Sequence, residues 1–118
     1  MEMAKGLKCV TDPGIFELAE GLRVLSDPNR LRIVCLLLRG EKCVCEVERD
    51  LGISQQLASH HLNVLREAGV LRARREGTSS YYAVVEEKLD GIARGFLRYL
   101  GHRERLDAGP GMACCAPS

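Results

Sequence analysis

Apolar residues recur at helical spacing through the first third of the chain and predict two helices there. Asp12-Pro13 and Asp27-Pro28 can each supply a cap and a first-turn proline, and Gly40 ends the second helix. The apolar stripe of the first helix consists of Ile15, Leu18, Ala19, Leu22 and Leu25. The stripe of the second consists of Leu31, Val34, Cys35 and Leu38, which predicts that Cys35 lies in the core.

Two further helices follow, separated by a short turn. The third runs from about Cys43 to Leu51, and the fourth begins after Ser54, a good capping residue, and ends at Gly69. The predicted inner face of the fourth helix consists of Leu57, Val64, Leu65 and Ala68, with His61 packed beside it. The turn of residues 52–54 contains a glycine, so the two helices have the spacing of a helix-turn-helix.

Beyond residue 69 the pattern becomes that of a β-hairpin. Residues 70–75 and 80–85 are two predicted strands around a loop that contains Gly77. A last helix, from about residue 86 to residue 103, has an apolar face formed by Leu89, Ile92, Ala93, Phe96 and Leu100. The predicted order is α-α-α-α-β-β-α. This mainly helical arrangement with a β-hairpin wing is a winged helix-turn-helix.

The length of 118 residues and the 46% share of hydrophobic residues fit one folded domain. We assign residues 12–105 to that domain, residues 1–11 to a flexible N-terminal arm, and the Gly/Pro/Ala-rich residues 106–118 to a flexible tail. The chain has no apolar run of about 18 residues and no long apolar segment near its start. We therefore expect a cytoplasmic protein with no membrane partner. Six cysteines in a reducing compartment favour metal or redox chemistry over a disulfide scaffold.

Polar residues of the fourth helix and basic residues of the hairpin form a candidate DNA-binding surface. Amide and hydroxyl groups at helical spacing can bond to base edges, and arginines can contact phosphates. The net charge is only +1, but the basic residues cluster on the first hairpin strand. An ordinary solvated helix face is the alternative. The predicted DNA-binding residues are Ser54, Gln55, Gln56, Ser59, His60, Asn63, Arg72, Arg74 and Arg75.

Cys43 and Cys45 form a Cys-X-Cys pair at the predicted start of the third helix, next to Lys42. A helix N-terminus and a nearby cation both favour thiolate, and thiolates bind soft metals and metalloids. Two helical residues at this spacing point about 200° apart. An ion held by both is therefore expected to unwind the first turn, which would couple ligand binding to DNA binding.

Several short motifs, in this order within residues 16–103, resemble the ArsR/SmtB family of metal-responsive repressors. They are Leu25-Ser26-Asp27-Pro28-Asn29-Arg30-Leu31, Cys43-Val44-Cys45-Glu46, Ser54-Gln55-Gln56, Ser59-His60-His61-Leu62, Leu65-Arg66-Glu67-Ala68-Gly69-Val70-Leu71, Arg74-Arg75-Glu76-Gly77 and Tyr81-Tyr82. The resemblance implies a repressor, not an enzyme, whose fourth helix enters the major groove of double-stranded operator DNA. It also implies a homodimer formed through the first and last helices.

The resemblance further implies that Cys43 and Cys45 bind arsenite or antimonite as the regulatory ligand, which releases the repressor from DNA. Arsenite takes three thiolates. Cys9 of the arm is our first choice for the third, and the tail pair Cys114 and Cys115 is the rival, because C-terminal cysteine pairs bind arsenite in some relatives. A cadmium or lead sensor is an alternative, although that branch has two cysteines in the arm. A thiol-based redox sensor of the same fold is another. No organic cofactor is expected.

Overall fold

The computed structural model describes residues 10–101, and residues 14–100 form five helices and three strands. The helices are α1 (Gly14–Leu25), α2 (Pro28–Leu37), α3 (Val44–Leu51), α4 (Gln55–Glu67) and α5 (Glu86–Leu100). The strands are β1 (Lys42–Cys43), β2 (Leu71–Glu76) and β3 (Ser79–Val84), in the antiparallel order β1-β3-β2. Apart from β1, this is the predicted winged helix-turn-helix. Val10 and Thr11 are also helical, where the sequence predicts a loose arm.

Capping residues begin and end the helices of the helix-turn-helix close to the predicted positions. Asp27 accepts hydrogen bonds from the backbone N–H groups of Asn29, at 2.7 Å, and Arg30, at 3.3 Å. Ser54 Oγ accepts one from the backbone N–H of Leu57 at 3.1 Å. Gly52 ends α3 at φ 68°, a left-handed conformation that favours glycine. These caps set the turn between α3 and α4.

The hydrophobic core draws on all five helices and on the sheet. Its most completely buried large side chains are Ile33, Val47, Leu62, Leu65, Val70 and Leu71. The predicted stripe of α2 is wrong in part, because Leu31, Cys35 and Leu38 are exposed. The buried residues of α2 are Ile33, Val34 and Leu37. Residues 33–38 are apolar at every position, so their pattern fits more than one face and packing against the neighbouring helices selects it.

The inner face of α4 also differs from the predicted one. Ala58, His61, Leu62 and Leu65 are buried, whereas Leu57 keeps 38% of its surface exposed. Leu57 lies about 100° around the helix from Ala58, far enough to leave the core. The prediction that His61 packs inward is confirmed. A histidine and an alanine in the buried set made the true stripe look less apolar than the predicted one.

A two-residue strand that the sequence analysis missed joins the segment before α3 to the wing. Lys42 pairs with Tyr82 of β3, and Cys43 pairs with Tyr81. Two residues are too few to show the alternation that marks a strand, so the pattern gave no signal. Cys43 is therefore a strand residue and the N-cap of α3, not its first helical residue.

Helices α1 and α5 pack against each other and leave apolar side chains uncovered. Leu18, Val24 and Ile92 are buried. The exposed members of the two predicted apolar faces are Ala19, Leu22, Ala93, Phe96 and Leu100. A groove of about 950 Å³ runs along the two helices. None of the helices between residues 10 and 101 is long and apolar enough to span a membrane.

Candidate nucleic-acid interface and cysteine site

The outer face of α4 carries the predicted base-reading residues. Gln55, Gln56, His60 and Asn63 are exposed, and Ser59 is half-buried. They lie away from the buried face of the helix. The N-terminal half of a recognition helix is the part that reaches base edges in the major groove, and amide groups there can read them. The arrangement thus presents a polar, uncovered helix face to a partner.

A buried polar network that the sequence analysis missed attaches α4 to the start of α2. His61 is only 5% exposed, and its Nδ1 lies 3.1 Å from Nη1 of Arg30. Because a guanidinium can only donate, Nδ1 is the acceptor and the neutral ring carries its proton on Nε2, 3.8 Å from Asp27. Arg30 also donates from Nε to the backbone oxygen of Val24 at 2.5 Å. Burial lowers the pKa of His61, so the network holds the neutral ring.

The three wing arginines do not form one patch. Strand alternation places Arg72 and Arg74 on one face of β2 and Arg75 on the other, the face that includes the buried Leu71. All three arginines are exposed. Phosphate contacts by Arg72 and by Arg75 would therefore come from opposite sides of the wing.

Arg74 is engaged within the protein. It donates from Nε and Nη2 to the two carboxylate oxygens of Glu41, at 2.9 Å each, and from Nη1 to Glu76 at 2.7 Å. Its guanidinium carbon lies 4.9 Å from the centroid of the Tyr81 ring. The hydrogen bond from Arg74 lowers the pKa of Glu41. With two carboxylates offsetting its charge, Arg74 is less suited to a phosphate contact than Arg72 or Arg75.

Cys43 and Cys45 lie at the start of α3. Cys43 is buried and has extended backbone angles, φ −87° and ψ 168°, while Cys45 is helical and exposed. Both cysteines therefore lie at the N-terminus of α3, one residue outside the helix and one within its first turn. The prediction that both cysteines are helical is wrong for Cys43, so the 200° separation, and with it the argument that a shared ion must unwind the first turn, does not apply to this pair.

Glu46 closes a capping box around Cys43. Its Oε1 accepts the backbone N–H of Cys43 at 2.9 Å, and the Cys43 sulfur faces the backbone N–H of Glu46. Interaction with the Cys43 thiol, together with partial loss of solvent, raises the pKa of Cys45. A raised pKa disfavours the thiolate, which is the opposite of the effect expected from the helix N-terminus and Lys42.

No cluster of three cysteine, histidine or acidic side chains within residues 10–101 is placed to hold a metal ion. The predicted third ligands, Cys9, Cys114 and Cys115, lie outside the described residues. Cys35 is described, but it lies on the exposed face of α2. The described part of the site is thus one buried thiol, Cys43, and one thiol that is open to solvent, Cys45.

Comparison with known proteins decides the family. Residues 27–73, from the cap of α2 into the wing, match the family of bacterial regulatory proteins called arsR. An HTH-type transcriptional regulator from Methanocaldococcus jannaschii is 40% identical over 77 residues, which cover 64% of this chain and 86% of that protein. The chain belongs to the ArsR family. It is a DNA-binding transcriptional repressor of that family and not an enzyme.

Two other ArsR relatives bear on the site. The arsenical resistance operon repressor of Staphylococcus xylosus is 40% identical over 76 residues, 64% of this chain and 73% of that repressor. A homodimeric winged helix-turn-helix domain from Mycobacterium bovis, a possible ArsR-family regulator, superposes with a TM-score of 0.58 at 31% identity. That match covers 80% of this chain and 92% of that domain. For some other relatives the matched segment spans only 59% to 63% of their length.

Proposed function

We propose that this ArsR-family protein is a homodimeric repressor that leaves its operator when arsenite or antimonite binds Cys43 and Cys45 together with a third thiol. The observation that carries this proposal is the placement of both cysteines at the N-terminus of α3, with Cys43 outside the helix in extended backbone and Cys45 in its first turn. Helix α3 leads through a short turn into α4, whose outer face is the candidate DNA reader. A ligand at the pair therefore lies one helix away from the DNA-binding surface.

The raised pKa of Cys45 favours arsenite over cadmium or lead. Arsenite in neutral water is arsenous acid, and each thiol that binds arsenic displaces one hydroxyl group, which leaves with the S–H proton as water. A divalent cation instead requires thiolates and releases a proton from each thiol, so the raised pKa of Cys45 works against it.

The third thiol comes from outside residues 10–101 or from a second chain. Cys9 is our first choice, and the pair Cys114 and Cys115 is the rival. Val10, the first described residue after Cys9, is exposed. Replacement of Cys9 by serine is expected to weaken arsenite binding, while replacement of both tail cysteines is not.

A dimer follows from the uncovered apolar faces of α1 and α5. Phe16, Phe96, Leu97 and Leu100 are among the exposed large hydrophobic residues of the described chain. Contiguous apolar surface of this kind marks a protein interface. The related Mycobacterium bovis domain is homodimeric. Two copies would place two α4 helices on successive turns of a near-palindromic operator.

The DNA contacts that we propose are those of the polar face of α4 and of the wing. We assign contacts with base edges to the polar side chains of this face, and a contact with the DNA backbone to Ser54 at the cap of α4. The residues assigned to base edges are Gln55, Gln56, Ser59, His60 and Asn63. Arg72 and Arg75 are assigned to phosphates. Arg74 is the weakest of the predicted contacts because Glu41 and Glu76 hold its guanidinium.

A gel-shift experiment tests the proposal. The operator is first selected from random-sequence DNA with the ligand-free protein. We expect arsenite to release this DNA from the wild type but not from the Cys43→Ser/Cys45→Ser variant. Cys35→Ser is the control, because it removes the remaining thiol of residues 10–101, which lies on a different helix. Release that persists in the double variant would move the ligand site away from α3.

A further inference from the structure

One row of side chains crosses the three-stranded sheet from the cysteine pair to the wing. Cys43 of β1 is directly opposite Tyr81 of β3, and Tyr81 is directly opposite Arg74 of β2. Residues directly opposite each other in an antiparallel sheet lie on the same face, with their Cβ atoms about 4.5–5.5 Å apart. The candidate sensor residue Cys43 therefore shares a face of the sheet with a wing arginine two strands away.

A second contact, between Glu41 and Arg74, also joins the segment before α3 to β2. The carboxylate of Glu41, two residues before Cys43, takes two hydrogen bonds from Arg74 in a side-by-side arrangement. Paired hydrogen bonds of this kind fix the relative orientation of the two groups. The segment of residues 41–43, which we call the sensor segment, is thus attached to β3 by strand pairing and to β2 by an ion pair. The other partner of Arg74, Glu76, lies on β2 itself and joins no separate elements.

We infer that Glu41 is a positioning residue that couples the sensor segment to the wing, an inference that rests on the function proposed above. In the ligand-free protein the Glu41–Arg74 pair and the β1–β3 pairing hold the sensor segment and the wing as one unit. Arsenic bound to Cys43 and to a third thiol draws the sensor segment out of this unit. The wing then loses the orientation in which Arg72 and Arg75 meet the DNA backbone.

This route does not need α3 to unwind. Cys43 already lies outside the helix in extended backbone, so the first turn need not unwind to free it for an arsenic atom shared with Cys45. What the third thiol must do is pull on the buried Cys43, and Cys43 is paired with β3. A strand of two residues has few hydrogen bonds to break, so the pairing is the weakest link between the ligand site and the rest of the protein.

Four full-length proteins test the coupling: the wild type, Glu41→Gln, Arg74→Gln and the double variant. Glu76→Gln is the matched control, because it removes the other carboxylate from Arg74 without touching the sensor segment. For each protein, anisotropy of labelled operator DNA gives the affinity with and without arsenite, and near-ultraviolet absorption of the arsenic–sulfur bonds gives arsenite binding. The measured quantity is the factor by which arsenite weakens operator binding.

We expect this factor to fall about fivefold in Glu41→Gln, the effect of one well-formed exposed ion pair. Arg74→Gln should lower it equally and the double variant no further, since the two residues act through one contact. Glu76→Gln should leave it unchanged, and arsenite absorption should be the same in all proteins. If arsenite weakens operator binding of Glu41→Gln by the same factor as that of the wild type, the coupling role of Glu41 is overturned, while the proposed function stands. If the wild type neither binds arsenite nor leaves DNA, the proposed function fails as well.

Discussion

Neighbouring groups decide what the charged side chains of this protein can do. The sequence shows three arginines on the first wing strand, but it does not show that Glu41, from a distant segment, neutralises Arg74. It likewise marks His61 as a packed residue without revealing Arg30 and Asp27 as its partners. Contacts between residues far apart in the chain do not produce a periodic pattern. The sequence can therefore indicate that Arg74 and His61 are candidates for a role, but it cannot show which side chains they contact.

The wing arginines should differ in their effect on the salt dependence of DNA binding. Arg75→Ala is expected to weaken binding to all DNA sequences alike and to reduce the slope of log affinity against log salt by about one unit. Arg74→Ala should change the slope much less, because its charge is already offset within the protein. Anisotropy titrations across a salt series measure both slopes. An unchanged slope for Arg75→Ala would remove Arg75 from the interface.

His61 should make the free energy of unfolding depend on pH. Burial lowers its pKa in the folded protein, so the unfolded chain takes up a proton first as the pH falls below about 6.5. The stability that the neutral ring contributes is therefore complete above that pH and is lost as the pH falls toward the folded pKa. Urea unfolding at about pH 7.5 and about pH 5.5 measures the loss.

His61→Gln should show a smaller loss of stability between these two pH values than the wild type. His60→Gln is the control, since His60 is the exposed neighbour on the same helix. An equal loss in His61→Gln and the wild type would mean that another group is responsible.

At the scale of elements, the sequence predicts the helix-turn-helix and the wing well because each has strong local signals. Asp27, Ser54 and Gly52 mark helix ends, and Gly77 marks the turn between the two paired wing strands. The same reasoning failed for β1, which is two residues long, and so it placed Cys43 inside α3. That single misplacement removed the basis of the geometry expected for the cysteine pair. The apolar pattern is ambiguous around Cys35 and Leu57, and there the sequence reasoning chose the wrong helix faces.

We expect position 52, in the turn between α3 and α4, to favour glycine because of its backbone conformation and not because a larger side chain would clash. Gly52 has φ 68°, and a Cβ added there would meet no atom within 4 Å. Gly52→Ala is therefore expected to lower the free energy of unfolding by about 1 kcal/mol through backbone strain. Gly52→Asn should cost less, because asparagine tolerates the left-handed region better. Urea unfolding compares them, and equal losses would point to a cause other than backbone conformation.

At the scale of the whole molecule, the described chain has more apolar surface on α1 and α5 than one copy can cover. We expect Leu97→Asp to give a monomer in sedimentation velocity and to weaken operator binding on the order of a hundredfold, because two linked recognition helices bind far better than one. Leu38→Asp is the matched control, since Leu38 and Leu97 are both 49% exposed but Leu38 is the C-cap of α2, away from α1 and α5 in sequence. A dimeric Leu97→Asp protein would place the interface elsewhere.

The central claim is that ligand binding at Cys43 and Cys45 controls the affinity of the dimer for operator DNA. One titration tests it most directly: reduced protein, already bound to labelled operator, receives arsenite while arsenic–sulfur absorption and DNA anisotropy are recorded from the same sample. We expect both signals to change together, and to saturate at one arsenic per thiol pair in the wild type. In Cys43→Ser/Cys45→Ser neither signal should change. DNA that stays bound while the absorption of the wild type saturates would contradict the claim.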